Sequence, residues 1–274
     1  MSNSSDRTSG DQMTAVHYND LRKDVRDSSS GHGHDGTEGV LIALDCGDGS
    51  DGDVVISGDT TLTRSMFYNN LTVNNGYNLI GAGFLIFVKG TCTNNGTIHN
   101  NGVTATTSGG AAGGAAGYFR AGGSGGATVN GNGASTTNSL GGAGGASGGT
   151  GGTVTAPTHL PRSVAMFLGS IFNSSGTPTA NGGWSGGGGG SASSGAGGGG
   201  GGGVLGLIAR ILINNGTISC KGGSGYSASG NSGGGGGGFL FIGYRKATWG
   251  TESVAGGTGP GNPGAAGTLI KVQL

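Results

Sequence analysis

The sequence predicts an all-β fold: a β-solenoid or sandwich-like stalk module carrying a glycine-rich domain of polyglycine II helices, preceded by one short helix. Three observations point there. Glycine supplies 71 of 274 residues, in runs such as GGGGGSASSGAGGGGGGG at 186–203 that keep no strict period. Short segments rich in β-branched and aromatic residues alternate with Gly, Asn and Asp, the punctuation of strands and turns. The stretch FLIFVKGTCTNNGTIHNNG at 84–102 is echoed by GLIARILINNGTISCKGG at 206–223, an internal repeat of apolar strand, Asn-Asn-Gly-Thr-Ile and glycine-rich excursion.

Residues 1–39 differ in composition from the rest of the chain, being rich in charge and poor in apolar runs. In TAVHYNDLRKDVRD, Thr14 is placed to cap a helix, and Val16, Leu21 and Val25 recur at helical spacing. So short a helix is marginal alone and needs a partner to pack on. From residue 40 to 106 the segments VLIALDC, DVVISGDTTL, NNLTVNNG, FLIFVKGT and CTNNGTIHNNG read as strands. Four Asn-Asn-Gly triplets, at 74–76, 94–96, 100–102 and 214–216, read as corners, because Asn and Gly tolerate left-handed backbone angles. Stacked rungs of a parallel solenoid would produce the echo, each rung burying its apolar residues against the next. Two unrelated hairpins that share turn chemistry would produce it too.

Residues 107–274 hold most of the glycine. Collagen is excluded by the missing three-residue period and by only five prolines. A flexible linker fits poorly with runs that lead straight into GGGVLGLIARILI at 201–213 and GGGGGGFLFIGY at 233–244. Ordered glycine is entropically costly, so an ordered run must gain close backbone approach. Three-residue-per-turn helices without Cβ atoms can pack side by side and bond to one another through their outward N–H and C=O groups. Tight turns between rungs are the competing use. The segment THLPRSVAMFLGSIFNSSG, beginning at Thr158, is apolar and nearly glycine-free, and fits a strand pair, a short helix or an exposed loop.

The formal net charge is zero, which argues against nucleic acid as a partner. MSNSSDRTSGDQ lacks the apolar core of a secretion signal, and no apolar run approaches bilayer-spanning length, so synthesis in the cytosol without membrane insertion is expected. Cys46, Cys92 and Cys220 are odd in number and far apart, which suits buried thiols better than a disulfide framework.

Enzyme chemistry finds little to work with. No histidine pair has zinc-protease spacing, and Gly-x-Ser-x-Gly or Rossmann patterns mean nothing at this glycine content. After Asp59 the sole acidic residue is Glu252, so the glycine-rich body cannot supply the carboxylate pair of a glycosidase. No catalytic residue and no obligate cofactor is expected. The one metal candidate is GHGHDG: His32 and His34 share a face if extended, and in a threefold assembly six imidazoles would converge as a transition-metal site. A glycine-flanked turn with solvated histidines is the plainer reading. Among the aromatics in or beside the glycine runs (Tyr118, Phe119, Trp184, Tyr226, Tyr244 and Trp249), Tyr118, Trp184 and Tyr226 are the candidates for receptor or partner contact, as flat platforms for sugars; such rings also cap hydrophobic rungs, the use assigned to Phe119.

The block DGSDGDVVISGDTTLTRSMFYNNLTVNNGYNL, continuing through FLIFVKGTCTNNGTI, resembles a strand-rich module of structural proteins of tailed bacteriophages. HYNDLRKDV followed by GHGHDGTEG resembles the N-terminal attachment part of such proteins. The remainder resembles in style the glycine-rich tail-fibre adhesins of some phages, although such adhesins do not open with the module at 40–98. The resemblance implies a virion protein assembled in the host cytoplasm as a homotrimer, bound to other virion proteins through 1–39 and to a host surface glycan or protein through 107–274. A capsid decoration or tail-lattice subunit, with an architectural role alone, is the second implication. A bacterial surface repeat protein is a separate, third hypothesis, weakened by the missing export signal.

Overall fold

The computed structural model describes residues 46–106, 111–115, 122–126, 132–134, 136–137, 151–152, 154–155, 196–227 and 231–274. The expected N-terminal helix with Val16, Leu21 and Val25, the first expected strand up to Asp45, and the apolar segment beginning at Thr158 lie outside them.

Chain order explains the architecture. The strands are β1 (Asp53–Ile56), β2 (Thr60–Thr61), β3 (Met66–Tyr68), β4 (Asn70–Val73), β5 (Asn78–Ile80), β6 (Leu85–Asn94) and β7 (Thr97–His99). After them come β8 (Thr136–Thr137), β9 (Val154–Thr155), β10 (Ala196–Gly197), β11 (Val204–Asn214), β12 (Thr217–Ser219), β13 (Tyr226–Ser227), β14 (Phe239–Thr248), β15 (Thr251–Ser253) and β16 (Thr268–Gln273). One sheet runs β1-β4-β6-β11-β14-β16, with β3 also paired to β6, and a second runs β2-β5-β7-β12-β15. Every pairing in both is parallel. Each circuit of the chain thus adds one strand to the first sheet, turns a corner, and adds one to the second. All-β, with two large parallel sheets and two two-stranded pairs, parallel β8–β9 and antiparallel β10–β13, is what the described residues form.

The internal repeat is two consecutive circuits. β6 pairs with β11 and β7 with β12, so that Asn94 lies beside Asn214, Thr97 beside Thr217 and Ile98 beside Ile218. The division expected at residue 106 separates no sheet, because strands from both sides of it lie in both, and 46–274 is one compact unit. Between the sheets lies a core that includes Leu71, Val73, Leu79, Ile86, Val88, Cys92, Ile98, Leu205, Leu207, Leu212, Ile218, Leu240 and Ile242, all essentially without solvent contact. A fully buried side chain of this size contributes about 1.5–3 kcal/mol. Cys92 and Cys220 are fully buried thiols in this core, and Cys46 is buried as well. Burial pushes the Cys92 thiol up to about 12 and raises that of Cys220 as well.

Glycine has two uses that the sequence did not separate. At the corners, Gly96 and Gly216 do not adopt left-handed angles; among the three, Gly76 alone does, with φ 85°. Close stacking demands them instead: a Cβ on Gly216 would lie 2.1 Å from the Gly96 carbonyl oxygen, and one on Gly96 2.4 Å from those of Asn74 and Tyr77. Gly90 sits inside β6, where a Cβ would meet Asn70 Oδ1 at 2.3 Å. The triplet at 100–102 is no corner: Asn100 is buried and opens an extended segment.

After β7, glycine segments separate the circuits and bond to one another. Along 198–203, Gly198 and Gly201 donate to Gly126 O and Gly123 O, Gly199 and Gly202 to Gly233 O and Gly236 O, and Gly200 and Gly203 to Val103 O and Asn100 O, at 2.8–3.0 Å. Carbonyls of the same segment accept from Ala111, Gly114 and Gly223. Five segments therefore surround it, and the partner recurs at every third residue. A strand sends successive N–H groups to two opposite sides, so a three-residue recurrence to three sides is not strand geometry. Side chains are excluded throughout: a Cβ on Gly200 would lie 1.8 Å from Ala112 O, on Gly199 1.9 Å from Gly223 O, and on Gly238 1.9 Å from Gly203 O.

Candidate recognition surface

Polar residues at the corners are laid out by the register. Because parallel circuits place like positions side by side, Asn94 and Asn214 meet inside the core: Asn94 Nδ2 donates to Asn214 Oδ1 at 2.8 Å and to Thr217 O at 3.0 Å. Asn214 Nδ2 donates in turn to Glu252 Oε1 at 2.7 Å, and Lys271 Nζ lies 2.7 Å from Glu252 Oε2. Val73 occupies the equivalent place in the preceding circuit and donates nothing, which leaves Asn94 Oδ1 without a partner. An outer pair runs parallel to this chain, Asn215 Nδ2 to Asn95 Oδ1 at 2.9 Å.

The last complete circuit is closed by aromatic and charged side chains. Trp249 meets Tyr244 edge to face at 5.0 Å, and Lys271 Nζ sits 3.7 Å from the centre of the Trp249 ring. One face of the indole is therefore engaged, while the residue stays 37% exposed. Such edge-to-face and cation–π contacts hold the ring in place. At the other end, Arg64 pairs with Asp51 through two nitrogens, and the Arg64 bond together with the Phe67 N–H holds the Asp51 carboxyl below its usual range. His99, on β7, accepts from the Asn101 N–H through Nδ1, and burial holds its imidazole below its usual value against the pull of Asp59.

Of the sequence-predicted contact residues, Tyr226 lies in β13, half-buried and paired with Gly197 of β10. Tyr118 and Trp184 lie outside the described residues, as do His32 and His34. Among the described residues no group of three or more His, Cys, Asp or Glu is gathered to hold a metal ion. Glu252 has both oxygens engaged by Asn214 and Lys271. Among the described residues, the exposed large apolar side chains besides Trp249 are Val55 in β1, Tyr77 beside the turn between β4 and β5, and Val103 in a glycine-flanked segment outside the sheets, and a set of cations lies on the outer face of the larger sheet. Sequence reasoning passed over the cations, because charge was weighed over the whole chain.

No family model matches the chain, and neither the curated proteins nor the solved structures hold a match to it.

Proposed function

We propose that the chain is a structural protein of a tailed-phage virion, a tail fibre or tail-tip adhesin that recognises the host surface without covalent chemistry. In this reading the two parallel sheets are a β-solenoid and the glycine segments are polyglycine II helices, docked on the solenoid as a stiff display scaffold. The three-residue recurrence of partners along 198–203 carries the proposal. It is what a helix of three residues per turn produces when its neighbours surround it. A scaffold whose interior is bare backbone leaves the residues between its segments available for recognition. Residues 1–39 would attach the protein to other virion components as a homotrimer, on the resemblance of HYNDLRKDV and GHGHDGTEG.

A second reading is architectural, a capsid decoration or tail-lattice subunit. It draws on β15 and β16, which among the described residues are the last strands of their sheets and could stack on another subunit. The purified full-length protein, added to host cells before whole phage, separates the two. A receptor-binding protein reduces adsorption in proportion to its concentration, and a subunit with an architectural role alone leaves adsorption unchanged.

A further inference from the structure

The whole-chain charge of zero conceals a segregation. Residues 1–59 carry four Lys and Arg against twelve Asp and Glu, whereas residues 60–274 carry nine Lys and Arg against Glu252 alone. Such asymmetry along a chain points to a partner of the opposite sign. The fold decides where those cations go. Ala209 is in register with Val88 on one side and Tyr244 on the other, and Ile211 with Thr91 and Lys246. Arg210 and Arg245 are therefore neighbours across β11 and β14, and Lys89 lies opposite Arg210 at the β-bulge of β6.

All of them point away from the core. Val88 and Cys92, Ala209 and Leu212, and Tyr244 and Ala247 face inward, and between them Lys89, Arg210, Arg245 and Lys246 are exposed. Lys89 Nζ reaches the Asp48 carbonyl oxygen at 3.4 Å. The ion pairs of the described residues are Arg64 with Asp51 and Lys271 with Glu252, so among the described residues no carboxylate pairs with the row. Adjacent strands are about 4.8 Å apart, which places like charges side by side over three strands at some cost in stability. An anion bridging them removes that cost, and the Arg fork binds carboxylate or phosphate oxygens in pairs.

We propose that Lys89, Arg210, Arg245 and Lys246 form a binding row for a short stretch of an anionic polysaccharide, carboxylated or phosphorylated. The row spans about 10 Å over two strand spacings. That is too short for the roughly 6–10 phosphate contacts from which strong duplex binding arises. The proposal names the receptor class and rests on the adhesin reading, but its test is separate.

Full-length protein is titrated with polygalacturonate, with poly(glycerol phosphate), with neutral dextran and with a DNA duplex, at about 50 and 200 mM salt. The expected result is binding to one or both anionic glycans, weakened by salt, with none to dextran; which glycan binds tells carboxylate from phosphate. The triple variant R210S/R245S/K246S loses about tenfold or more in affinity, the size of one charge-assisted hydrogen bond. Its thermal midpoint stays unchanged or rises, because like charges are removed. Equal binding by the triple variant, preference for the duplex, or no binding by the parent protein overturns the row. Blocked adsorption without glycan binding sinks the row and keeps the adhesin; glycan binding without blocked adsorption does the reverse.

Discussion

A methyl group is all that separates Gly200 from alanine, and the Ala112 carbonyl leaves no room for it. Gly200→Ala is expected to cost about 1–3 kcal/mol or more, because backbone rather than a side-chain tip must move. Gly58, with nothing within 4 Å of a Cβ and no left-handed angle, is the control. Gly58→Ala should stabilise by about 0.4–1 kcal/mol through the unfolded chain. Chemical denaturation of both variants checks the pair, and equal effects would remove close approach as the reason for glycine. His99 supplies a pH dependence. Its folded value lies below the usual 6.5 through burial, so the neutral form is favoured on folding. Its contribution is complete above about pH 6.5 and is lost as pH falls through the lowered folded value. Denaturation midpoints should fall over that window, and His99→Asn, which keeps an acceptor for the Asn101 N–H, should flatten the fall. At this scale the sequence named the right residues with an incomplete reason. Gly96 and Gly216 mark corners as expected, but a neighbouring circuit, not backbone angle, requires them.

Circuits cohere through interactions that the repeat distance makes possible. Asn214 joins Asn94 to Glu252 inside the core, whereas Asn215 joins Asn95 at the surface. Asn214→Ala should cost about 1.5–3 kcal/mol, the worth of a hydrogen bond to a charged group, and Asn215→Ala no more than about 1 kcal/mol. Urea titrations at neutral pH distinguish them; equal losses would mean that the buried chain adds nothing to its exposed counterpart. Backbone bonds on three sides also imply slow amide exchange along 198–203 in the folded protein, measured by deuterium uptake. Uptake as fast as in a free peptide would refute the packed arrangement. The strand-forming stretches and the echo between 84–102 and 206–223 were legible because apolar and β-branched residues differ from their surroundings. Partner choice among the glycine segments was not. One glycine run is chemically like another, and only the circuits that hold 198–203 beside 100–105 and 232–238 decide which run meets which.

Residues 46–274 form one compact unit, so they should open together. Cys92 in the third circuit and Cys220 in the fourth are both fully buried, with thiols raised by burial. A thiol reagent at about pH 8 should label both at one rate, that of global unfolding. Faster labelling of Cys220 would reveal separate opening of the glycine-rich side. Charge at this scale was legible and was averaged away: a total of zero hid the cations beyond residue 59, and only strand register shows that four of them share one outer face.

Both ends of one long excursion are fastened to the same short piece of backbone. Ala134 donates to Ser124 O and Gly198 to Gly126 O, so the chain departs and returns within three residues of 122–126. Closure is then fixed by the scaffold and depends only weakly on how much polypeptide lies between. The two docking points fix that closure themselves, so a change in the length of the connecting chain should leave the register at 122–126 and 198–203 as it is.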